Sequence, residues 1–504
     1  MQRWRRSAAA RFLAVALAAT TVAACSGGDA APSDSTVAAA SPAAAPSPSP
    51  SSPASPPITL TFVNEKPIVG AEVRVTADRM PAGKTVELMW ETVTGGWVIE
   101  DYYHFRGKKY EAARSSLGRF PVGADGRFDA RFAIPEDYGG MHEVLALVDG
   151  QTVAQKGIEV TQSFKLTPES GPVGTPIELE VKGLGFRLMD SIWVVNWNNS
   201  LVGFVSAASS KGSAVARFRA AGPPGTNVVQ VLSGYQGEGY LNHEQAPNAY
   251  LPRPRFTFET TPGRPASTVA FAEPYPKQPV PKTEVVVANA TAALSPTQGP
   301  VGTRAMLRGE GFTAGAQVEL VWQTSVGSRV SGEGYGPAER QLGRLTVGRD
   351  GRINSPITIP DDLGGLHAID LRNGATQLAR VFFVTETSIV SISPTSGPVG
   401  TPITIHLKGV GWTEYDNLYV ATYDNTYMGY VCGFNSAGDV VINFHATGTP
   451  GLHMIDFYPG IYQGPATEPQ LLYLQPQLTY AEDHPGNKIP ALRFMFEVTA
   501  PKAR

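Results

Sequence analysis

Three times along the chain a Gly-Pro-Val-Gly-Thr segment is followed by residues that alternate between apolar and polar. Ile177, Leu179 and Val181 alternate with Glu178, Glu180 and Lys182, and Ile403, Ile405 and Leu407 alternate with Thr404, His406 and Lys408. A period of two is that of a β-strand with one buried face. In the segment before it, proline fixes φ and the flanking glycines permit a tight entry. Each predicted strand ends in a Gly-x-Gly-aromatic turn: Gly183 to Phe186, Gly309 to Phe312 and Gly409 to Trp412. Openings at Gly171, Gly299 and Gly397 mark domains of roughly 100 residues, the size of an immunoglobulin-like sandwich.

The full opening is Ser295 to Thr303 (SPTQGPVGT), Ser393 to Thr401 (SPTSGPVGT) and Thr167 to Thr175 (TPESGPVGT). On these residues the chain resembles the IPT/TIG family of immunoglobulin-like domains. The resemblance implies β-sandwich modules used for adhesion, for interaction or as spacers. A first domain lacks the motif, with Asn64 to Gly70 in its place, but Val86 to Trp90 matches Val318 to Trp322, and Leu117 to His142 matches Leu342 to His367 at an offset of 225. The second and fourth domains match at an offset of 226, aligning Trp193 with Tyr419, Trp197 with Tyr423, and Asn198-Asn199 with Asp424-Asn425. The expected fold class is therefore all-β, four tandem sandwiches in the order A1-B1-A2-B2, one two-domain unit copied once.

The expected boundaries are 58–162 for A1, 163–262 for B1, 283–386 for A2 and 387–504 for B2. Residues 263–282 form a proline-rich linker, which predicts a semi-rigid spacer and two separate arms. Residues 1–24 have the basic start and apolar run of a signal peptide. Its end, Val22-Ala23-Ala24-Cys25, is similar to a bacterial lipobox, which implies a diacylglycerol-bearing Cys25. Residues 25–57, nearly all Ala, Ser and Pro after the cysteine, predict a disordered tether. The expected location is extracytoplasmic, lipid-anchored to the bacterial cell membrane.

Gly 53 and Pro 42 of 504 residues suit many short strands and turns. The formal charge is −3, and the leader holds four arginines and no acid, so the remainder carries −7. That balance disfavours nucleic acid as a partner. Cys25 and Cys432 are the two cysteines, so no domain can form an internal disulfide, and no cofactor is implied.

Candidate chemistry is sparse. His142, His367 and His453 recur at the entry of a late strand, where a partly exposed structural role is expected, since the second domain has Asn227 there. Glu136-Asp137 and Asp361-Asp362 read as turn residues; with Asp125 and Asp350 they are the only approach to a calcium site. Gly309-x-Gly311-x-x-Ala314 precedes a strand, where a dinucleotide fingerprint requires a helix. Cys432 reads as a small strand residue. The strongest contact candidates are Trp193, Trp197, Asn198 and Asn199 in B1 with Tyr419, Tyr423, Asp424 and Asn425 in B2. These either form an aromatic-amide platform for sugar rings or fill the core, with the polar residues making a hairpin turn. The core reading is favoured. Trp97 to Ser116, about seven residues longer than its counterpart in A2 by alignment, is either a contact loop or a flap over its own sandwich.

The expected function is that of a non-catalytic surface lipoprotein, binding or scaffolding at the envelope through an unknown envelope protein or glycan. A carbohydrate-binding accessory protein or envelope hydrolase, and a purely structural spacer, are the alternatives.

Overall fold

All three Gly-Pro-Val-Gly-Thr copies close in the same way. The threonine hydroxyl donates to the proline carbonyl three residues back, Thr175 to Pro172 at 2.7 Å, Thr303 to Pro300 at 2.6 Å and Thr401 to Pro398 at 2.6 Å. A Cβ on Gly171, Gly299 or Gly397 would stand 2.4, 2.6 or 2.4 Å from that hydroxyl, so the first glycine makes room for the turn. The same glycines pair in parallel with the last strand of their domains, opposite Thr260, Thr385 and Val498. The chain then enters the alternating strand that the pattern predicts.

The computed structural model describes residues 57–501 apart from 236, 265–268, 329–333, 434–435 and 463–473. Cys25, the leader and nearly all of the tether lie outside the described residues. A1 contains β1 (Thr61–Phe62), β2 (Glu72–Ala77), β3 (Thr85–Glu100), β4 (His104–Pro121), β5 (Phe128–Ala133), β6 (Gly140–Val148) and β7 (Gln151–Val160). They form sheets β1-β2-β5 and β4-β3-β6-β7. B1 contains β8 (Ser163–Thr167), β9 (Ser170–Pro172), β10 (Pro176–Lys182), β11 (Ile192–Trp197), β12 (Ser200–Ser206), β13 (Ala214–Arg219), β14 (Gly225–Tyr235), β15 (Glu238–Gly239) and β16 (Arg255–Thr261). Its sheets are β13-β10-β8 and β12-β11-β14-β16-β9.

After β17 (Ala270–Ala272), A2 contains β18 (Glu284–Val285), β19 (Thr291–Ser295), β20 (Gln298–Pro300), β21 (Arg304–Glu310), β22 (Gln317–Ser328), β23 (Gly334–Thr346), β24 (Ile353–Thr358), β25 (Gly365–Asn373) and β26 (Thr376–Glu386). B2 contains β27 (Ser388–Ser393), β28 (Ser396–Gly397), β29 (Pro402–Lys408), β30 (Leu418–Tyr423), β31 (Thr426–Cys432), β32 (Val440–His445), β33 (Gly451–Pro459), the short helix α1 (Tyr480–Asp483) and β34 (Leu492–Val498). The B2 sheets, β27-β29-β32 and β17-β34-β33-β30-β31 with β28 also on β34, repeat the B1 order β13-β10-β8 and β12-β11-β14-β16-β9, and β17 is the strand that B1 lacks among the described residues. Each domain has its own apolar core, centred on Trp90, Trp193, Trp322 and Tyr419. The chain is all-β, a tandem array of immunoglobulin-like sandwiches.

Within each unit the A and B domains join through a pair of glycines. Gly139 N–H donates to Leu184 O at 3.1 Å and Gly364 N–H to Val410 O at 3.0 Å. A Cβ on Gly139 or Gly364 would lie 1.9 or 2.0 Å from the carbonyl oxygen of Gly183 or Gly409. Only glycine permits that approach.

The expectation of two separate arms is corrected. The proline-rich segment supplies β17, which pairs with β34 at the edge of B2, and Gln278 N–H donates to Gln298 Oε1 at 2.9 Å. The linker is spent on packing, and residues 57–504 cluster as one unit.

Candidate functional site

The aromatic platform does not form. Trp193 is 0%, Trp197 4% and Tyr419 0% exposed, all inside sandwich cores. Tyr423 is half-buried and stacks on His453 with ring centroids 5.4 Å apart. Asn198, Asn199, Asp424 and Asn425 have φ of 49°, 67°, 49° and 61°, the left-handed pairs of two-residue hairpin turns. Asn198 Oδ1 accepts from Val228 N–H at 2.9 Å, while Asn199 is exposed in the turn. Asn425 is buried, donating to Arg219 O across the B1–B2 contact at 2.7 Å. The period of two placed these aromatics on one face, and that face is the inner one.

The recurring histidines are buried, contrary to the expected partial exposure. Both ring nitrogens of His142 face carbonyl oxygens, of Glu91 and Tyr138, at 2.8 Å, and His367 faces Gln323 and Leu363 at 2.9 and 2.8 Å. Each imidazole stacks on a tryptophan at 4.3 Å and 20°. The tryptophan N–H in turn donates to a buried aspartate at 2.9 Å, Trp90 to Asp137 and Trp322 to Asp362. These aspartates immediately precede the joint, so the repeated His, Trp and Asp brace it. Asp125 and Asp350 close local turns onto Arg127 and Arg352 N–H. Among the described residues, no group of three or more His, Cys, Asp or Glu is placed to hold a metal ion.

The long A1 hairpin β3–β4 reaches out of its own domain. At its tip, Tyr415 OH donates to Tyr102 O at 2.6 Å, Phe105 N–H donates to Glu414 Oε2 at 2.6 Å, and Leu366 N–H donates to Tyr102 OH at 3.1 Å. One turn therefore touches both A2 and B2. Burial pushes the Tyr102 phenol up to about 12, with Asp416 adding to the shift.

Nearer its base the hairpin meets α1. Asp483, fully buried, accepts from Ser206 Oγ at 2.7 Å, Ala208 N–H at 2.9 Å, Ser209 N–H at 2.6 Å and Trp97 Nε1 at 3.1 Å. Burial raises its pKa against those donors. Lys108, pushed down to about 8 by burial although Asp483 and Asp190 pull the other way, donates to Ser191 Oγ at 2.5 Å. A lysine of weakened charge beside a serine is an acyl-transfer arrangement. Ser191, however, is 1% exposed, so the pair binds hairpin to sheet and offers no nucleophile to a substrate. Beyond the extra hairpin length, no local pattern in the residues points to this junction.

The open feature at the B1–B2 contact is a cleft of about 540 Å³, lined by Val173, Pro223, Arg264, Asp424, His453 and Glu497 among others. Of the eight contact candidates in the B domains, Asp424 alone lines it. His453 Nδ1 lies 2.5 Å from Asp424 Oδ2, and its Nε2 lies 2.8 Å from Thr449 O. Burial opposes the charged imidazole, but the Asp424 hydrogen bond and charge prevail and raise its pKa. An Arg264–Glu497 ion pair at 2.6 Å crosses the far wall. The arrangement offers paired charges of both signs beside proline and glycine backbone.

No family model matches the chain, and no curated protein matches it. Solved structures do match. A Salmonella alpha-2-macroglobulin reacted with methylamine aligns at 9% identity over 87% of this chain and 31% of that one, with a TM-score of 0.18. This chain thus spans under a third of the macroglobulin. A tetra-tandem repeat from the extending region of a large adhesion protein aligns at 11% identity over 81% of this chain and 96% of that one, with a TM-score of 0.18.

Proposed function

We propose that this chain is a non-catalytic, lipid-anchored binding and scaffolding protein on the outer face of a bacterial membrane. The observation that carries this reading is the junction at Asp483. It gathers donors from A1 and B1 onto one buried carboxylate of B2, and so uses buried polar groups to hold three domains together. Such an interlocked body suits the display of sandwich edges and end loops to a partner. The likeness of SPTxGPVGT to IPT/TIG openings supports the same role, and the lipobox-like Val22 to Cys25 supports the anchor. Burial of Trp193 and Tyr419 removes the observation that favoured a sugar platform.

Two measurements test this reading. Metabolic labelling with a palmitate analogue should mark the chain and vanish in Cys25→Ser. Residues 57–504 should capture an envelope protein saturably and turn over no envelope substrate. Unlabelled protein, or measurable hydrolysis of cell-wall material, would overturn it.

A further inference from the structure

The buried histidines beside the A–B joints meet carbonyl oxygens in a way that a neutral ring does not satisfy. His142 Nδ1 lies 2.8 Å from Glu91 O and its Nε2 lies 2.8 Å from Tyr138 O. His367 repeats the arrangement with Gln323 O at 2.9 Å and Leu363 O at 2.8 Å. A carbonyl oxygen only accepts, so both nitrogens of each ring must donate, and neutral imidazole carries one N–H where imidazolium carries two. A neutral ring would set a nitrogen lone pair against an oxygen lone pair at hydrogen-bond distance.

The surroundings favour the second proton. Each ring stacks at 4.3 Å and 20° on Trp90 or Trp322, an aromatic face that attracts a cation. Beyond each indole lies a buried carboxylate that accepts on both oxygens, Asp137 from Trp90 Nε1 and Tyr138 N–H, and Asp362 from Trp322 Nε1 and Leu363 N–H. An imidazolium beside it balances that charge. Other acids near the two rings are paired with a base, Glu91 with Arg114, Glu136 with Lys182 and Asp361 with Lys408. Across the neighbouring strands the histidines face apolar Ile158 and Phe383. Burial alone would lower the His367 pKa, but the Gln323 bond, the Asp362 charge and the Leu363 bond oppose it. With an acceptor at each nitrogen, those three prevail and raise it.

We propose that His142 and His367 are imidazolium ions in the folded protein, and that each acts as a proton-dependent clasp on its A–B joint. The link is a single peptide group. Tyr138 C=O shares its peptide with Gly139 N–H, which donates to Leu184 O of B1, and Leu363 C=O shares its own with Gly364 N–H, which donates to Val410 O of B2. A charged ring on the carbonyl polarises that peptide and strengthens its N–H as the donor that crosses the joint. Losing the proton removes one of the two ring bonds and weakens the crossing bond. Protons held more tightly in the folded state than in the unfolded chain, whose histidines titrate near 6.5, stabilise the joint fully below that pH. That stabilisation is lost as pH rises through the higher folded value. B1 carries Asn227 at the corresponding place, donating to Thr260 Oγ1 at 2.8 Å, and has no such charge. The clasp does not depend on what the protein binds.

The test is nuclear magnetic resonance of residues 57–504 with nitrogen-15 in the histidine rings, assigned through their contacts with the Trp90 and Trp322 indoles. At neutral pH both nitrogens of His142 and of His367 should carry hydrogen. A bare nitrogen on either ring overturns the proposal. Hydrogen exchange at Gly139 and Gly364 gives the second readout. After correction for the base catalysis of exchange itself, protection should fall about tenfold between about pH 6 and about pH 9. In His142→Asn and His367→Asn, which copy Asn227, protection at the altered joint should start lower and stay level across that range. If either variant does not fold, the native protein still decides, since unchanged protection at both glycines across that range overturns the clasp.

Discussion

Trp97 and Asp483 stand 386 positions apart and meet at 3.1 Å, indole Nε1 to carboxylate Oδ2, with a second contact of 2.5 Å from the same N–H to the Asp483 carbonyl. One comes from the hairpin of A1 and the other from the short helix of B2, so this contact joins the first domain to the last.

Asp483→Ala should therefore loosen the assembly more than any single sandwich. The substitution leaves the Ser206, Ala208 and Ser209 donors without the carboxylate, while Trp97 keeps only the Asp483 carbonyl. Each unsatisfied buried group costs about 1–3 kcal/mol, and water entering the site recovers part of that. A net loss of roughly 3 kcal/mol is expected by denaturant unfolding. Small-angle scattering should show a larger radius of gyration, with the far-ultraviolet circular dichroism of the strands retained. An unchanged radius with global loss of strand signal would mean that Asp483 serves its own domain alone.

Gly364→Ala tests the joint inside the second unit. The new methyl would lie 2.0 Å from Gly409 O, a backbone atom held in the turn that follows β29. Either the joint opens or A2 shifts, and a cost of about 2 kcal/mol or more is expected for overpacking against backbone. Hydrogen exchange at the amides of Gly364 and Val410, bonded to Val410 O and Gly438 O respectively, should accelerate before exchange in the A2 core does. Uniform acceleration would place the damage elsewhere.

The joint also shows what the sequence made legible. Periodicity and the repeated glycine motifs led to the fold class, the order of domains and the offsets, because a strand's inner face is written in every second residue. The core role of Trp193, Trp197 and Tyr419 was legible too, as one of two readings. Contacts between domains were not. Gly139, His142 and Asp137 sit together in the sequence as turn-like residues, and nothing local says that Leu184 will dock on them. The proline-rich segment at 263–282 misled for a related reason. Composition describes an isolated chain, whereas β17 is held by an edge strand more than 200 residues further on.

His453 and Asp424 should titrate as a pair. The Asp424 carboxylate raises the imidazole pKa above its ordinary value despite burial. Stability from this pair is therefore fully present below the unfolded histidine pKa, near 6.5, and is lost as pH rises through the higher folded value. Nuclear magnetic resonance of the His453 ring protons should show the raised midpoint in the native protein and a lower one in Asp424→Asn. His453→Asn, which copies Asn227 of B1, should fold and lose that pH dependence. An identical midpoint with and without the Asp424 charge would reject the pairing.

Asp190 gives the opposite half of the pH range. Its carboxyl is buried in B1, and burial pushes its pKa up to about 6 although Arg187 and Lys108 pull downward. A Cβ on Gly185 would stand 2.1 Å from the carboxyl carbon, so the group is packed directly against the Gly185 backbone. The folded state therefore holds the proton more tightly than the unfolded chain, whose aspartates titrate near 3.9. The stabilising contribution is fully present below about pH 4 and is lost as pH rises through about 6, with a ceiling of roughly 3 kcal/mol at 1.36 kcal/mol for each unit of difference. Asp190→Asn keeps the shape without the ionisation. Urea unfolding of both proteins at pH 4 and pH 7 should show the native protein gaining on the variant at the lower pH. A gap that is the same at both pH values would show that the carboxyl titrates as an ordinary exposed group.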